Sequence, residues 1–224
     1  MNNSINCKNS NAKIEITYEF FMDRLIQIYK ECRLEVYYAE IFMPLFIMCE
    51  TDDAKIVPVY NNRRTGPRTD NETDFDKVMH TIRAVVGEDS VVPDYIYVSK
   101  DYSFDNPSKP YVIIETKAPI FECINNDYYY KKLRIDKKIE KELRIEVQSC
   151  GKVILTDGIT WMFWVWEEDI KLKEVVKLVD RINNPKEQDT FTINNKNIEV
   201  PIIQKEWADL ICKIKEFLPV VKEI

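Results

Sequence analysis

The chain of 224 residues has a single histidine and no pair of cysteines at C-x-x-C spacing. Its six cysteines stand at positions 7, 32, 49, 123, 150 and 212, too scattered for a zinc site or a disulfide framework. Reduced thiols in a cytoplasmic protein are the expectation. No stretch approaches the roughly 18 consecutive apolar residues of a spanning helix, so no membrane association is expected. Residues 1–13, MNNSINCKNSNAK, are polar throughout, without the apolar run of a secretion signal, and are expected to form a flexible tail. Repeats and linkers are also missing, which points to one domain over residues 14–224. The formal net charge of −6 argues against a protein that coats nucleic acid with a basic surface. It leaves room for an acidic, metal-holding centre inside a locally basic groove.

Against these absences stand clear periodic segments. Ile16, Phe20, Leu25 and Ile28 repeat at helical spacing and predict a helix over 14–30. A second helix is expected over 34–50, with Pro44 as a kink or break. AKIVPVY (54–60) reads as a strand, NNRRTGPRTDNET (61–73) as a loop, and 74–86 as a helix stopped by Gly87. VVPDYIYVS (91–99) and YVIIETK (111–117) read as strands, joined by a turn-rich connection. A charged helix is expected over 127–148. Strands follow at 151–155 and 159–166 around Thr156-Asp157-Gly158, a tight-turn signal. Shorter strands at 175–179, 191–193 and 198–203 and a closing helix at 205–217 complete an α/β (α+β) pattern.

The chemically informative stretch is VVPDYIYVSKDYSFDNPSKPYVIIETKAP. Strand alternation projects Glu115 and Lys117 to one face while Thr116 turns away. Tyr111 to Ile114 is apolar on both faces, as in a buried central strand. A Glu and a Lys at its end are costly unless paired with each other or with a metal. Phosphodiester hydrolysis needs a divalent cation that polarises the phosphoryl oxygen and generates hydroxide. Mg²⁺, or Mn²⁺ in its place, takes hard oxygen ligands. Asp94 and Glu115 are the candidate carboxylates, the Thr116 carbonyl a further oxygen, and Lys117 an ammonium that orients water or stabilises the transition state. E-x-K triplets alone are common. The signal comes from Pro-Asp before a β pattern and an apolar strand running straight into E-x-K.

Here the sequence resembles the PD-(D/E)xK nuclease superfamily, and more narrowly the N-terminal nuclease domain of type I restriction-enzyme R subunits. The likeness rests on Pro93-Asp94-Tyr95-Ile96, on Ile114-Glu115-Thr116-Lys117-Ala118, and on Leu155-Thr156-Asp157-Gly158-Ile159-Thr160-Trp161, similar to the family's LTNGxxW. It covers about residues 34–166; residues 170–224 carry the remaining strands and helix. The resemblance implies a restriction-endonuclease-like fold, a central mixed sheet flanked by helices, and a metal-dependent endonuclease acting on DNA in restriction or defence against foreign DNA. It also implies an acidic residue on an early helix, for which Glu35 is the candidate and Glu40 the competitor. The family's Gln-x-x-x-Tyr on the later helix is missing; Gln148 stands near the expected helix end without a tyrosine four residues on. The family's motor domain is missing too, so the chain would work alone, as a homodimer, or with a separate partner subunit.

Three further expectations remain open. Arg63, Arg64 and Arg68 are candidates for clamping phosphates bidentately, against the alternative of solvated loop charges. His80 is either a structural helix residue or a metal ligand of the kind found in cap-snatching endonucleases, which would make the substrate RNA. A non-catalytic binding module on the same fold is the alternative from outside enzymology, and the intact Asp94, Glu115 and Lys117 argue against it.

Overall fold

The computed structural model describes residues 15–31, 35–59, 93–103, 108–125, 127–131, 133, 135–178, 188–193, 196–204 and 207–218. Helix α1 (Tyr18–Glu31) buries Phe21, Leu25 and Ile28 and carries Glu19 in its first turn and Lys30 in its last, matching the helix dipole. Phe20, expected on the apolar face, points to solvent, and the adjacent Phe21 takes the inward place. Helix α2 (Glu35–Met48) runs through Pro44, which removes one i→i−4 bond without ending the helix. Its buried Tyr38, Ile41, Phe42, Leu45 and Phe46 supply the packing that holds it together.

Eight strands form one mixed sheet. They are β1 (Ala54–Pro58), β2 (Tyr95–Ser99), β3 (Val112–Thr116), β6 (Lys152–Thr156), β7 (Thr160–Glu167), β8 (Asp169–Lys177), β10 (Lys196–Gln204) and β9 (Gln188–Ile193), in that spatial order. β3 pairs parallel to β6 and β8 parallel to β10; the other neighbours are antiparallel. β4 (Phe121–Ile124) and β5 (Asp127–Tyr130) make a separate hairpin.

That hairpin corrects the expectation of a helix over 127–148. Helix α3 (Lys137–Cys150) starts ten residues later than expected, where the Asp136 side chain accepts from the N–H groups of Lys138 and Ile139. Its C-terminus closes on Gly151 at φ 92°, whose N–H reaches the Val147 carbonyl. β8 is likewise longer than the expected strand and begins at Asp169. Helix α4 (Trp207–Phe217) closes the described chain.

The sheet separates two apolar layers. α1, α2 and α4 pack on one face with Val112, Ile114, Ile154, Trp161 and Phe163; α3 packs on the other with Ile113, Val153, Leu155, Met162 and Trp164. The expected mixed α/β architecture, a central sheet with helices on both faces, is therefore present. Among the described residues no helix is long and apolar enough to cross a membrane, and Cys49, Cys123, Cys150 and Cys212 are free thiols. The expected tail, the arginine loop and the helix over 74–86 lie outside the described residues.

Candidate active site

The register of β2 and β3 positions the candidate residues. Tyr95 stands opposite Ile114 and Ile96 opposite Ile113, so the next step outward sets Asp94 across from Glu115. Alternation puts Glu115 on the face of Ile113, which packs under α3, and Thr116 on the face of Ile114. Pairing continues one residue past β3, because the Lys117 N–H donates to the Thr156 carbonyl at 2.8 Å. The end of the E-x-K strand is thus tied to the strand that leads into the Asp157-Gly158 turn.

Around this frame the side chains interlock. Asp94 Oδ2 accepts from the backbone N–H of Thr116 at 2.7 Å and from its hydroxyl at 2.6 Å. Lys117 Nζ donates to Glu115 Oε1. Glu115 Oε2 is buried and has no hydrogen-bond partner among the described residues. Burial pushes the Glu115 carboxyl up to about 8, with Asp94 pushing the same way and Lys117 pulling back. Asp94 is also raised by burial, opposed by its two bonds from Thr116 and by Lys117.

Two carboxylates that the sequence reading did not nominate face the same place. Glu142 and Glu146 both lie on α3; Glu142 is half-buried and bridges to Lys138 at 3.5 Å. Glu146 is fully buried, and its carboxyl is raised first by burial and then by Glu115, Asp94 and Glu142, with Lys117 opposing. The signal in the sequence is a glutamate inside the stripe Leu143, Val147, Cys150, hidden because the helix is rich in glutamate and lysine throughout.

The other candidates fall elsewhere. Glu35 is the first residue of α2, and its side chain lies outside the described residues, as do Arg63, Arg64, Arg68 and His80. Glu40 is a surface residue paired with Arg24 at 2.9 Å. Gln148 is exposed, off the stripe by which α3 meets the sheet. Tyr130, expected near a helix start, ends β5 and donates to Asp157 Oδ2 at 2.8 Å in the LTDG turn.

The donor set suits a hard divalent cation in chemistry: carboxylates, one with a buried oxygen that nothing engages. It is not closed. Among the described residues no three His, Cys, Asp or Glu side chains form a group that could hold a metal ion as they stand. No protein-family model matches the chain, nor does any curated protein or any solved structure.

Proposed function

We propose that the chain is a metal-dependent endonuclease of the PD-(D/E)xK kind, with a restriction-endonuclease-like fold, that hydrolyses phosphodiester bonds of DNA in restriction or defence against foreign DNA. The observation that carries the reading is the meeting of three groups from two adjacent strands: Asp94 oriented by Thr116, Glu115 buried beside it, and Lys117 bonded to Glu115. A surface ion-pair coincidence would not be expected to bury Glu115 to 6% exposure with one oxygen left unpartnered.

Asp94 and Glu115 would hold Mg²⁺ or Mn²⁺, with the Thr116 carbonyl as a further oxygen. When bound, the cation supplies Lewis acidity and lowers the pKa of water. The chain's own contribution is electrostatic. Lys117 brings a positive charge to the mouth of a buried acidic site, where it offsets the repulsion between the Glu115 carboxylate and an approaching phosphate. Its backbone bond to Thr156 fixes where that charge sits. In a half-buried site such a charge acts more strongly than in bulk water.

The test is a cleavage assay with Mg²⁺ or Mn²⁺ on supercoiled plasmid, linear duplex, single-stranded DNA and RNA. DNA cleavage is expected, with Lys117→Ala slower by about 100-fold or more while nucleic-acid binding weakens only slightly. Cleavage of RNA alone would make the chain a ribonuclease of the same kind. Equal rates for Lys117→Ala and wild type would assign the activity to another site. No cleavage of any substrate would leave a binding module as the better account.

A further inference from the structure

The most deeply buried charge-bearing group near the site is one that the proposed chemistry does not use. Glu146 lies in the stripe of α3 formed with Leu143, Val147 and Cys150, all packed against the sheet. It is 0% exposed, and neither carboxylate oxygen has a hydrogen-bond partner among the described residues. An apolar side chain at 146 would fill the stripe as Leu143 and Val147 do, without the penalty of a buried, unpaired acid. Its surroundings add to that penalty, because Glu115, Asp94 and Glu142 all act on it with the same sign. Lys117 opposes them but is already bonded to Glu115. Positive charge is therefore short where acidic groups from β3, the approach to β2 and α3 converge.

We infer that Glu146 is an additional ligand for a divalent cation, presented from α3 to the site of Asp94 and Glu115. The inference rests on the metal-dependent reading proposed above and extends it to a third structural element. The orphaned oxygens are hard donors, and the unpartnered Oε2 of Glu115 is buried on the same side of the sheet. Bound metal supplies the positive charge that draws together groups which repel one another without it.

Mn²⁺ binding to the full chain, followed by titration calorimetry, tests this with three variants. Glu146→Gln keeps the shape and removes the charge, and should weaken Mn²⁺ binding by about tenfold or more. Glu142→Gln removes the same charge from a half-buried neighbour bridged to Lys138, and should weaken binding by less than about threefold. In metal-free buffer Glu146→Gln should melt above wild type, since it deletes an uncompensated buried acid. Wild-type affinity in Glu146→Gln would overturn the inference and leave the metal-dependent reading intact. So would an equal loss in Glu142→Gln, which would assign the effect to charge at a distance. A Glu146→Gln chain that fails to fold also overturns it, because the carboxyl would then serve the fold itself. Absence of Mn²⁺ uptake by wild type, or undiminished uptake by Asp94→Ala, would instead sink the underlying reading and this inference with it.

Discussion

Thr116 holds Asp94 with two donors at once, its backbone N–H and its hydroxyl both ending on Oδ2 at 2.7 and 2.6 Å. The side chain expected to turn away from the chemistry thus orients one of its carboxylates, from a buried position. Thr116→Val retains the N–H and the branched shape but loses the hydroxyl. A bond to a charged acceptor contributes roughly 1.5–3 kcal/mol. The variant should lose stability on that scale in urea at neutral pH and bind Mn²⁺ more weakly, while Thr116→Ser restores both. If Thr116→Val matches wild type in both measurements, the hydroxyl does not hold Asp94.

Metal linkage gives a second expectation. Asp94 and Glu115 raise one another's proton affinity, so a cation bound by the folded chain relieves repulsion that the unfolded chain does not have. A ligand at 100 times its Kd adds about 2.7 kcal/mol of stability. Mn²⁺ or Mg²⁺ should therefore raise Tm by several degrees. The Asp94→Ala, Glu115→Ala double variant should show no rise. An equal rise in both proteins would locate the ion elsewhere.

The parts legible in the sequence are those where burial dictates residue type. VIIET had to be a strand because it is apolar on both faces, and the structure buries every residue of β3. The turn around Gly158 was legible from Asp-Gly, though the connection closes only at Thr156 opposite Trp161. The β4–β5 hairpin was misread because DYYYKKLRID has apolar and charged residues at spacings that also suit a helix. The decisive feature was Asp136 as a cap, which a helix extended backwards through it had concealed. Glu146 was illegible for a different reason. A glutamate in a Glu/Lys-rich helix reads as solvated until its neighbours Leu143 and Val147 are seen packing inward.

Asp157 predicts how stability depends on pH. It is fully buried and accepts from the N–H groups of Ile159 and Thr160 and from the Tyr130 hydroxyl. Burial nonetheless raises its carboxyl from 3.8 to about 6. The folded chain therefore binds this proton more tightly than the unfolded chain. The associated stability is fully present below pH 3.8 and is lost as pH rises through about 6. The loss at pH 7 is on the order of 3 kcal/mol, at 1.36 kcal/mol per pKa unit. Asp157→Asn keeps an acceptor for the two N–H groups, removes the titration, and should flatten the stability profile between pH 4 and 6. Identical profiles for variant and wild type would show that Asp157 does not titrate in that range.

Gly158 carries the last prediction. Its φ of 88° lies in the left-handed region, and a Cβ there would stand 2.9 Å from Leu25 Cδ1 and 3.3 Å from Phe42 Cζ. α1 and α2 thus close directly over the turn that follows β6. Gly158→Ala combines a backbone cost of roughly 1–2 kcal/mol with an overpacking cost of roughly 1–3 kcal/mol. Urea unfolding should show a loss of about 2–4 kcal/mol on those scales. Part of that loss should disappear in a Leu25→Ala background, where the methyl meets no Cδ1, so the double-mutant cycle should show coupling. Function should suffer as well. Thr156 accepts from the Gly158 N–H through its hydroxyl and from the Lys117 N–H through its carbonyl, so a displaced turn shifts the backbone that positions Lys117. Well below its Tm, Gly158→Ala should cleave more slowly than its folded fraction accounts for. Full cleavage rate per folded molecule would mean that the turn supports the fold without positioning Lys117.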